Sequence, residues 1–443
     1  MSFVTELSGR MPGLVHEPGT AGYEAGARVF AGEGTPDAVV RPTSAAEVAE
    51  AVRAAVAAGV PIAVRSGGHG SDPVGGGLVI DLGALSAVEL ETDGAADGPR
   101  LVHVGPGAQW GDVAAALTPH GLAVSSGDTI DVGVGGLALG GGLGWFARSQ
   151  GLTVDLVRAI ELVTATGDVL SVDASSHPEL FWALRGGGGN FGVATRFTFE
   201  ARPLGALTGG HVQFDRSDAR AVLGAFRDVF RDAPDQLNAT LLVMPPLMPE
   251  LPAGPQLAVA LEGDEAELRR LLEPMLSLPS VTEVALGPVA YADLLEESPP
   301  GTPPFVMVGA NGFVPELSDA ALDAFARALD ADEPVMLLLR ALGGAFSRVP
   351  ADATAIAQRD GLALVAVTTL LPADAAADEV SAAREAAAET ASFTTGRYAN
   401  FTPEFGADIL AEIFPPATLD RLRAVKREVD PEDVFRPSHH VTP

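Results

Sequence analysis

The chain has 443 residues, a formal net charge of −30 and no cysteine. That length exceeds one ordinary core and predicts two domains or three, and the acidity excludes nucleic acid and anionic membranes as partners. The missing thiols exclude disulfides, thiolate metal sites and cysteine nucleophiles, and leave histidine or tyrosine as the point for any covalent cofactor link. No apolar run reaches the roughly 18 residues of a membrane span, and Met1–Val15 shows neither a basic start nor an apolar stretch, which predicts a cytoplasmic chain without a secretory signal. Two readings of the acidity stay open: the codon bias of a GC-rich genome and a salt-adapted surface.

The first predicted unit runs from Pro42 to Leu82. Ser44 and Glu47 form a capping box, and Val48, Val52 and Val56 follow at helical spacing. Gly59 and Pro61 stop this helix. A buried strand, Val60–Val64, leads into Arg65-Ser-Gly-Gly-His-Gly70, and a second strand spans Leu78–Leu82. Leu101–Val104 reads as a strand and Gln109–Leu117 as a helix stopped by Gly121. The densest glycine run, Gly133–Gly144, reads as a loop. Ala159–Asp173 is a hairpin turning at Thr166-Gly-Asp168. Ser176 and Glu179 mark a second capping box, with Pro178 in the first helical turn; that helix stops at Gly186-Gly-Gly-Gly-Asn190. Val193–Ala201 alternates like a strand.

Beyond Arg202-Pro-Leu-Gly205 the dense glycines disappear. Strands at Leu257–Leu261 and Ala363–Leu371 mix with helices at Glu265–Leu272, Asp319–Leu329 and Ala375–Ala391, with a Pro/Gly loop at Pro299–Pro304. This half reads as a separate α+β domain. The tail carries a helix over Leu419–Val429, then Asp430-Pro431.

Glycine-dense loops after strands let backbone N–H groups approach phosphate closely. Three such loops, Gly67–Gly70, Gly133–Gly144 and Gly186–Gly192, point to an elongated phosphate-bearing ligand such as a dinucleotide. The plain structural alternative is tight turns and close packing. Gly142-Leu-Gly-Trp-Phe-Ala147 fits the nicotinamide fingerprint, with Glu161 nineteen residues on, but it lies inside a longer glycine run and Glu161 falls within the hairpin. No Gly-Lys-Ser/Thr occurs, so a P-loop is excluded. The eight histidines show no metal spacing, and no metal site is expected. His69 differs from the others, because it stands in a glycine loop at a strand end, beside Arg65.

Arg65-Ser-Gly-Gly-His69 resembles the flavin-attachment motif of the berberine bridge enzyme-like FAD-linked oxidases, in the wider vanillyl-alcohol oxidase group with a PCMH-type FAD-binding domain. Val132-Gly-Val-Gly-Gly136 with Gly140-Gly-Gly-Leu-Gly144 is similar to the second FAD loop of that family. Glu179-Leu-Phe-Trp-Ala-Leu-Arg-Gly-Gly-Gly-Gly-Asn-Phe-Gly192, Tyr398-Ala-Asn400 and Asp430-Pro-Glu-Asp-Val-Phe435 resemble further family signatures. The likeness covers residues 36–204 and 396–443. It implies an α+β fold: a two-part FAD-binding domain (1–205 with the returning segment 396–443) and a substrate domain (206–395) with an antiparallel sheet.

The resemblance also implies the site. FAD would be covalent through His69. Arg65, Ser66, Gly67, Gly68, Gly70 and Ser71, with Val134, Gly135, Gly136, Gly140, Gly141, Gly142 and Gly144, would wrap its phosphates and ribityl chain. Val193 would reach the adenine end and Asn400 the ring. Thr129 stands where many relatives carry a cysteine that makes a second covalent bond, so one bond is implied here. Phe401 stands where many carry a tyrosine base. With Tyr23, Tyr291 and Tyr398 the only tyrosines, Tyr398 is the remaining candidate, and extended alternation puts it on the side of Asn400, opposite Phe401. Val132 occupies the position whose small side chain goes with oxygen reactivity in the family. The implied activity is hydride transfer from a small amine or alcohol to FAD and then to O2, giving hydrogen peroxide. A dehydrogenase of a sugar or secondary metabolite and a non-catalytic flavin-binding protein are the alternatives.

Overall fold

The computed structural model describes residues 2–70, 73–92, 98–245, 254–298, 305–329, 334–372 and 374–443. Ser71 and the Pro299–Pro304 loop lie outside the described residues.

The opening unit folds as its pattern requires. Ser44 caps the helix Ala45–Ala58 by accepting from the Glu47 N–H, and Gly59 ends it at φ +65°. The Glu47 carboxylate reaches one residue further than a capping box does, to the Thr43 N–H at 2.7 Å. Val48 and Val52 are buried, but Val56 is 40% exposed and Ala55 is buried instead. Each i+4 step over-rotates by about 40°, so a third residue at that spacing has turned away from the core. Ala38–Val40, Leu78–Asp81 and Ile62–Arg65 form a parallel trio behind this helix, with Val15–His16 added antiparallel at the edge.

A second, antiparallel sheet follows. Its order is Val169–Asp173, Val157–Val163, Val193–Pro203, Arg100–Val104, Val88–Leu90, and Leu122–Ala123 pairs with the far end of Val193–Pro203. The helices Ala407–Ile413 and Pro416–Val429 return here: Leu410, Ile413, Leu419, Leu422 and Val425 pack into one core with Trp110, Phe181, Phe197 and Phe199.

The third sheet is seven-stranded and antiparallel throughout: Val281–Val289, Leu207–Phe214, Gly254–Glu262, Leu237–Met244, Val335–Ala341, Ala363–Pro372, Phe305–Val314. The strand period of two divides its faces. Leu237, Ala239, Leu241, Leu337, Leu339, Val365 and Val367 point into one core with the helices Ala219–Arg231, Glu265–Leu271 and Asp319–Leu329. The alternate residues point the other way: Asn238 accepts from the Arg148 N–H, and Leu364 packs with Leu143, Ala147 and Tyr398. That face therefore looks onto the glycine-rich half. The mixed helix and sheet architecture is the α+β fold expected.

Three local expectations fail. Val134–Gly140, inside the glycine run, is a short helix rather than a loop. Ser176 does not cap its helix: the N-cap is His177, without a side-chain cap, while Asp173 accepts from Ser175 and Ser176 and Glu179 pairs with Arg421. Ala399–Phe401 is a 3-10 turn, not extended chain, because Thr402 N–H bonds back to Ala399.

Candidate active site

The strand Ile62–Arg65 delivers the first loop. Arg65 was expected to face phosphate, but its guanidinium donates to Asp81 at 3.2 Å and to the Arg28 carbonyl at 3.0 Å. It ties the two parallel strands instead. Ser66 Oγ donates to the Pro106 carbonyl and accepts from the Gly135 N–H. Gly67 lies against Gly133: a Cβ on Gly67 would stand 2.5 Å from the Gly133 nitrogen. The first two glycine segments are thus bonded and packed to each other.

His69 follows directly. Its ring stacks on Phe30, with centroids 5.5 Å apart, and its Nε2 lies 3.1 Å from Asp131 Oδ2. Ser298 donates to the other oxygen of Asp131 at 2.7 Å. Partial burial pushes the Asp131 carboxyl up, but the Ser298 bond and the nearby imidazole outweigh it and hold it below the usual carboxylate range. Thr129 and Val132 belong to the same turn. Thr129 bridges to Glu296, and Val132 packs half-buried on the core while its carbonyl accepts from the Trp110 N–H.

The helix Val134–Gly140 leads to a second group, roughly 10 Å away at 1.5 Å per residue. There Asn400 lies against Gly140 and donates to the Leu137 carbonyl and to the Tyr398 hydroxyl, each at 3.3 Å. The Tyr398 ring is buried beside Gly141, and burial drives its phenol far above the ordinary tyrosine range despite hydrogen bonds to Gly142, Asn400 and Leu143. The turn keeps Tyr398 and Asn400 together, but Phe401 is not opposite: it meets the Tyr398 ring edge-on at 5.3 Å and is 42% exposed. Behind this turn a cleft of about 390 Å³ touches Asn311, Thr394 and Arg397, and not His69.

The structure also brings in residues the sequence did not offer. Arg340, from the seven-stranded sheet, is buried, pairs with Asp128 and lies over Trp145 at 5.2 Å. Burial pulls the guanidinium down to about 9, still charged at neutral pH. Thr240 stands opposite Arg340 in register. Arg340 Nη1, Thr240 Oγ1 and Asp128 Oδ1 are buried without a hydrogen-bond partner among the described residues. Asp131 carried a legible signal, as an acid directly before the glycine motif; Ser298, Thr240 and Arg340 carried none.

Val193 stands apart from both groups, with its side chain buried in the core of the parallel unit and its backbone opposite Val163. Not every glycine is there for a ligand. Val134 and Gly135 N–H groups are taken by the Ala108 and Pro106 carbonyls, and Gly67, Gly133, Gly140, Gly142 and Gly144 press on protein atoms. Gly70 and Gly136 differ: both are exposed, and a Cβ there would meet nothing within 4 Å. A cradle open to a large ligand requires such positions, and the open Gly136 and Gly70, the latter next to the half-buried His69, fit FAD.

Comparison with known proteins agrees. A family model described as an FAD binding domain matches residues 36–173. The chain is 29% identical to the uncharacterized FAD-linked oxidoreductase YgaK of Bacillus subtilis, over 92% of this chain and 91% of that one. It is also 29% identical to (R)-6-hydroxynicotine oxidase of Paenarthrobacter nicotinovorans, over 97% of each. The fold superposes on a glucooligosaccharide oxidase of Acremonium strictum with a TM-score of 0.85, at 24% identity, over 100% of this chain and 99% of that one; that protein is described as carrying a 6-S-cysteinyl, 8α-N1-histidyl FAD. The chain carries an FAD binding domain and resembles the berberine bridge enzyme-like FAD-linked oxidases. It is an FAD-dependent oxidase.

The open glycine gives a direct test in this oxidase. Gly136→Ala should raise the stability of the flavin-free protein by about 0.5–1 kcal/mol, because alanine suits a helix better. The same methyl group should weaken FAD retention. Thermal unfolding with and without FAD checks both; retention equal to wild type would show that the cradle lies elsewhere.

Proposed function

We propose that the enzyme carries FAD on His69 by a single covalent bond and oxidises a small amine, with O2 as the final acceptor. Residues 1–205 and 396–443 hold the cofactor in this reading, and 206–395 supply the substrate-facing sheet. Bound FAD supplies the hydride acceptor and hands the electrons on to O2. The protein's part is to orient and to exclude. Gly70 and Gly136 leave space for the cofactor, Asn400 forms the far end of its seat, and the small Val132 keeps an oxygen path open. Thr129 has no thiol for a second bond.

The observation that carries the substrate class is the state of Tyr398. Its phenol is buried and held far above its ordinary range, so it stays protonated at neutral pH and is a poor general base. Phe401 cannot ionise. An alcohol needs a base to take its proton as hydride leaves, whereas a neutral amine supplies a lone pair of its own. Tyr398→Phe should therefore lower the rate of flavin reduction by less than about a hundredfold, with the pH dependence set by the amine of the substrate. Stopped-flow reduction across pH measures this. A loss of several thousandfold, with the alkaline limb gone, would make Tyr398 the base.

A second reading has one observation in its favour. Arg340 and Thr240 place unpaired polar atoms on the sheet face that looks onto the glycine-rich half, with Asp128 paired to Arg340, which suits a hydroxylated substrate such as a sugar. Peroxide release measured against panels of amines and oligosaccharides separates the two.

A further inference from the structure

We infer that Asp131, braced by Ser298, is the positioning residue for flavin attachment: it holds Nε2 of His69 so that Nδ1 is the nitrogen presented to the flavin methyl group. The inference rests on the reading of His69 as the attachment point. Three chain segments converge on this imidazole. Phe30 stacks on its face, Asp131 Oδ2 takes Nε2 at 3.1 Å, and Ser298, 167 residues beyond Asp131, fixes the second carboxylate oxygen at 2.7 Å. An isolated ion pair at a surface would leave both side chains free to turn. Here the Asp131 turn is also tied down on both sides. The Ile130 N–H donates to the Glu296 carbonyl and the Glu296 N–H to the Asp128 carbonyl, while Gly133 packs on Gly67.

The hydrogen bond decides the tautomer. A carboxylate is an acceptor only, so the proton sits on Nε2 and the lone pair on Nδ1. That lone pair is what attachment requires. The N–C bond forms from Nδ1 to the methyl carbon, and one methyl C–H bond breaks. Two electrons enter the flavin ring system and O2, the oxidant the enzyme already uses, removes them as hydrogen peroxide. Of the two protons in that peroxide, one balances the proton lost by the methyl carbon and one that lost by Nε2. Asp131 offsets the positive charge that develops on the imidazole as the ring alkylates, and the Nε2 proton then leaves to solvent.

The test uses the full chain, expressed without flavin and mixed with FAD in air. Covalent flavin is followed by in-gel fluorescence after denaturation and by intact mass, and non-covalent FAD by fluorescence quenching. Asp131→Leu should attach FAD at least tenfold more slowly than wild type while still binding it, and Asp131→Glu should recover part of the rate. Ser298→Ala, a milder change that leaves the carboxylate in place, should slow attachment severalfold with thermal unfolding unchanged, and it decides the matter if Asp131→Leu does not fold. Attachment at the wild-type rate in Asp131→Leu, or in Ser298→Ala should that variant alone fold, overturns the inference. Absence of covalent flavin from the wild-type protein overturns instead the reading of His69 on which it rests.

Discussion

Replacing Lys426 by alanine is expected to destabilise the fold by about 3–5 kcal/mol, the usual result of leaving a buried charge without its partner. Lys426 is the only lysine in the chain and is completely buried. Its ammonium group donates to the Asn190 carbonyl at 2.9 Å, to Asp430 Oδ2 at 2.6 Å and to the Phe435 carbonyl at 2.7 Å, with Asp433 at 3.2 Å. Asp430 is itself fully buried and also accepts from the Val434 and Phe435 N–H groups. Asn190 closes the same knot from its side chain, donating to the His439 carbonyl and accepting from the Val441 N–H. The knot therefore fastens the end of the chain to the glycine segment that follows the helix Pro178–Leu184. Removing the ammonium leaves Asp430 charged in a dry interior and two carbonyls unpaired. Urea unfolding of the flavin-free protein measures the loss. A change under 1 kcal/mol would mean that the tail is held by apolar packing alone; an exposed control, Arg269→Ala, should stay within about 0.5 kcal/mol.

Gly142→Ala is expected to destabilise by about 2–4 kcal/mol, from strain at positive φ together with overpacking. Gly142 has φ +80°, and a Cβ there would run into the Thr153 side chain and come within 2.6 Å of Leu137 Cδ2. Neither neighbour can yield easily. The Thr153 N–H donates to the Gly142 carbonyl at 2.9 Å, and its hydroxyl donates to the Ser125 carbonyl at 2.7 Å. Moving Gly142 also moves a contact of the Tyr398 hydroxyl, so the variant should incorporate less FAD as well as lose stability. The contrast with Gly136→Ala is the informative part. One glycine serves the packing of the protein and the other the space beside it, and stability should move in opposite directions. If both variants behave alike, that division of roles is wrong.

The sequence made the elements legible where a local cause was sufficient. The helix Ala45–Ala58 was visible in Ser44 and Gly59, the hairpin in Thr166-Gly-Asp168, and the strand Ala363–Pro372 in its apolar run. The glycine run was read as loop because glycine is a poor helix former; Val134–Gly140 is helical because the tertiary contacts of Ser66, Pro106 and Ala108 hold its start. The resemblance of Arg65–His69 and Glu179–Gly192 to family motifs carried the cofactor and the fold class. It did not show that Arg65 is engaged by Asp81, since that pairing depends on the register of two parallel strands. Nor did it show Arg340 beside Asp128, or Ser298 on Asp131. These contacts join residues 212 and 167 positions apart, and no local pattern encodes them. Tyr398 was placed beside Asn400 for the wrong reason: extended alternation predicted it, and a 3-10 turn produces it.

Denaturation of the purified protein in acid or detergent, followed by intact mass and flavin fluorescence on wild type and His69→Ala, tests the central claim most directly. The wild-type chain should keep one FAD equivalent bound through denaturation. The His69→Ala chain should fold, bind FAD and release all of it. Covalent flavin persisting in His69→Ala, or flavin released from the denatured wild type, would contradict the account.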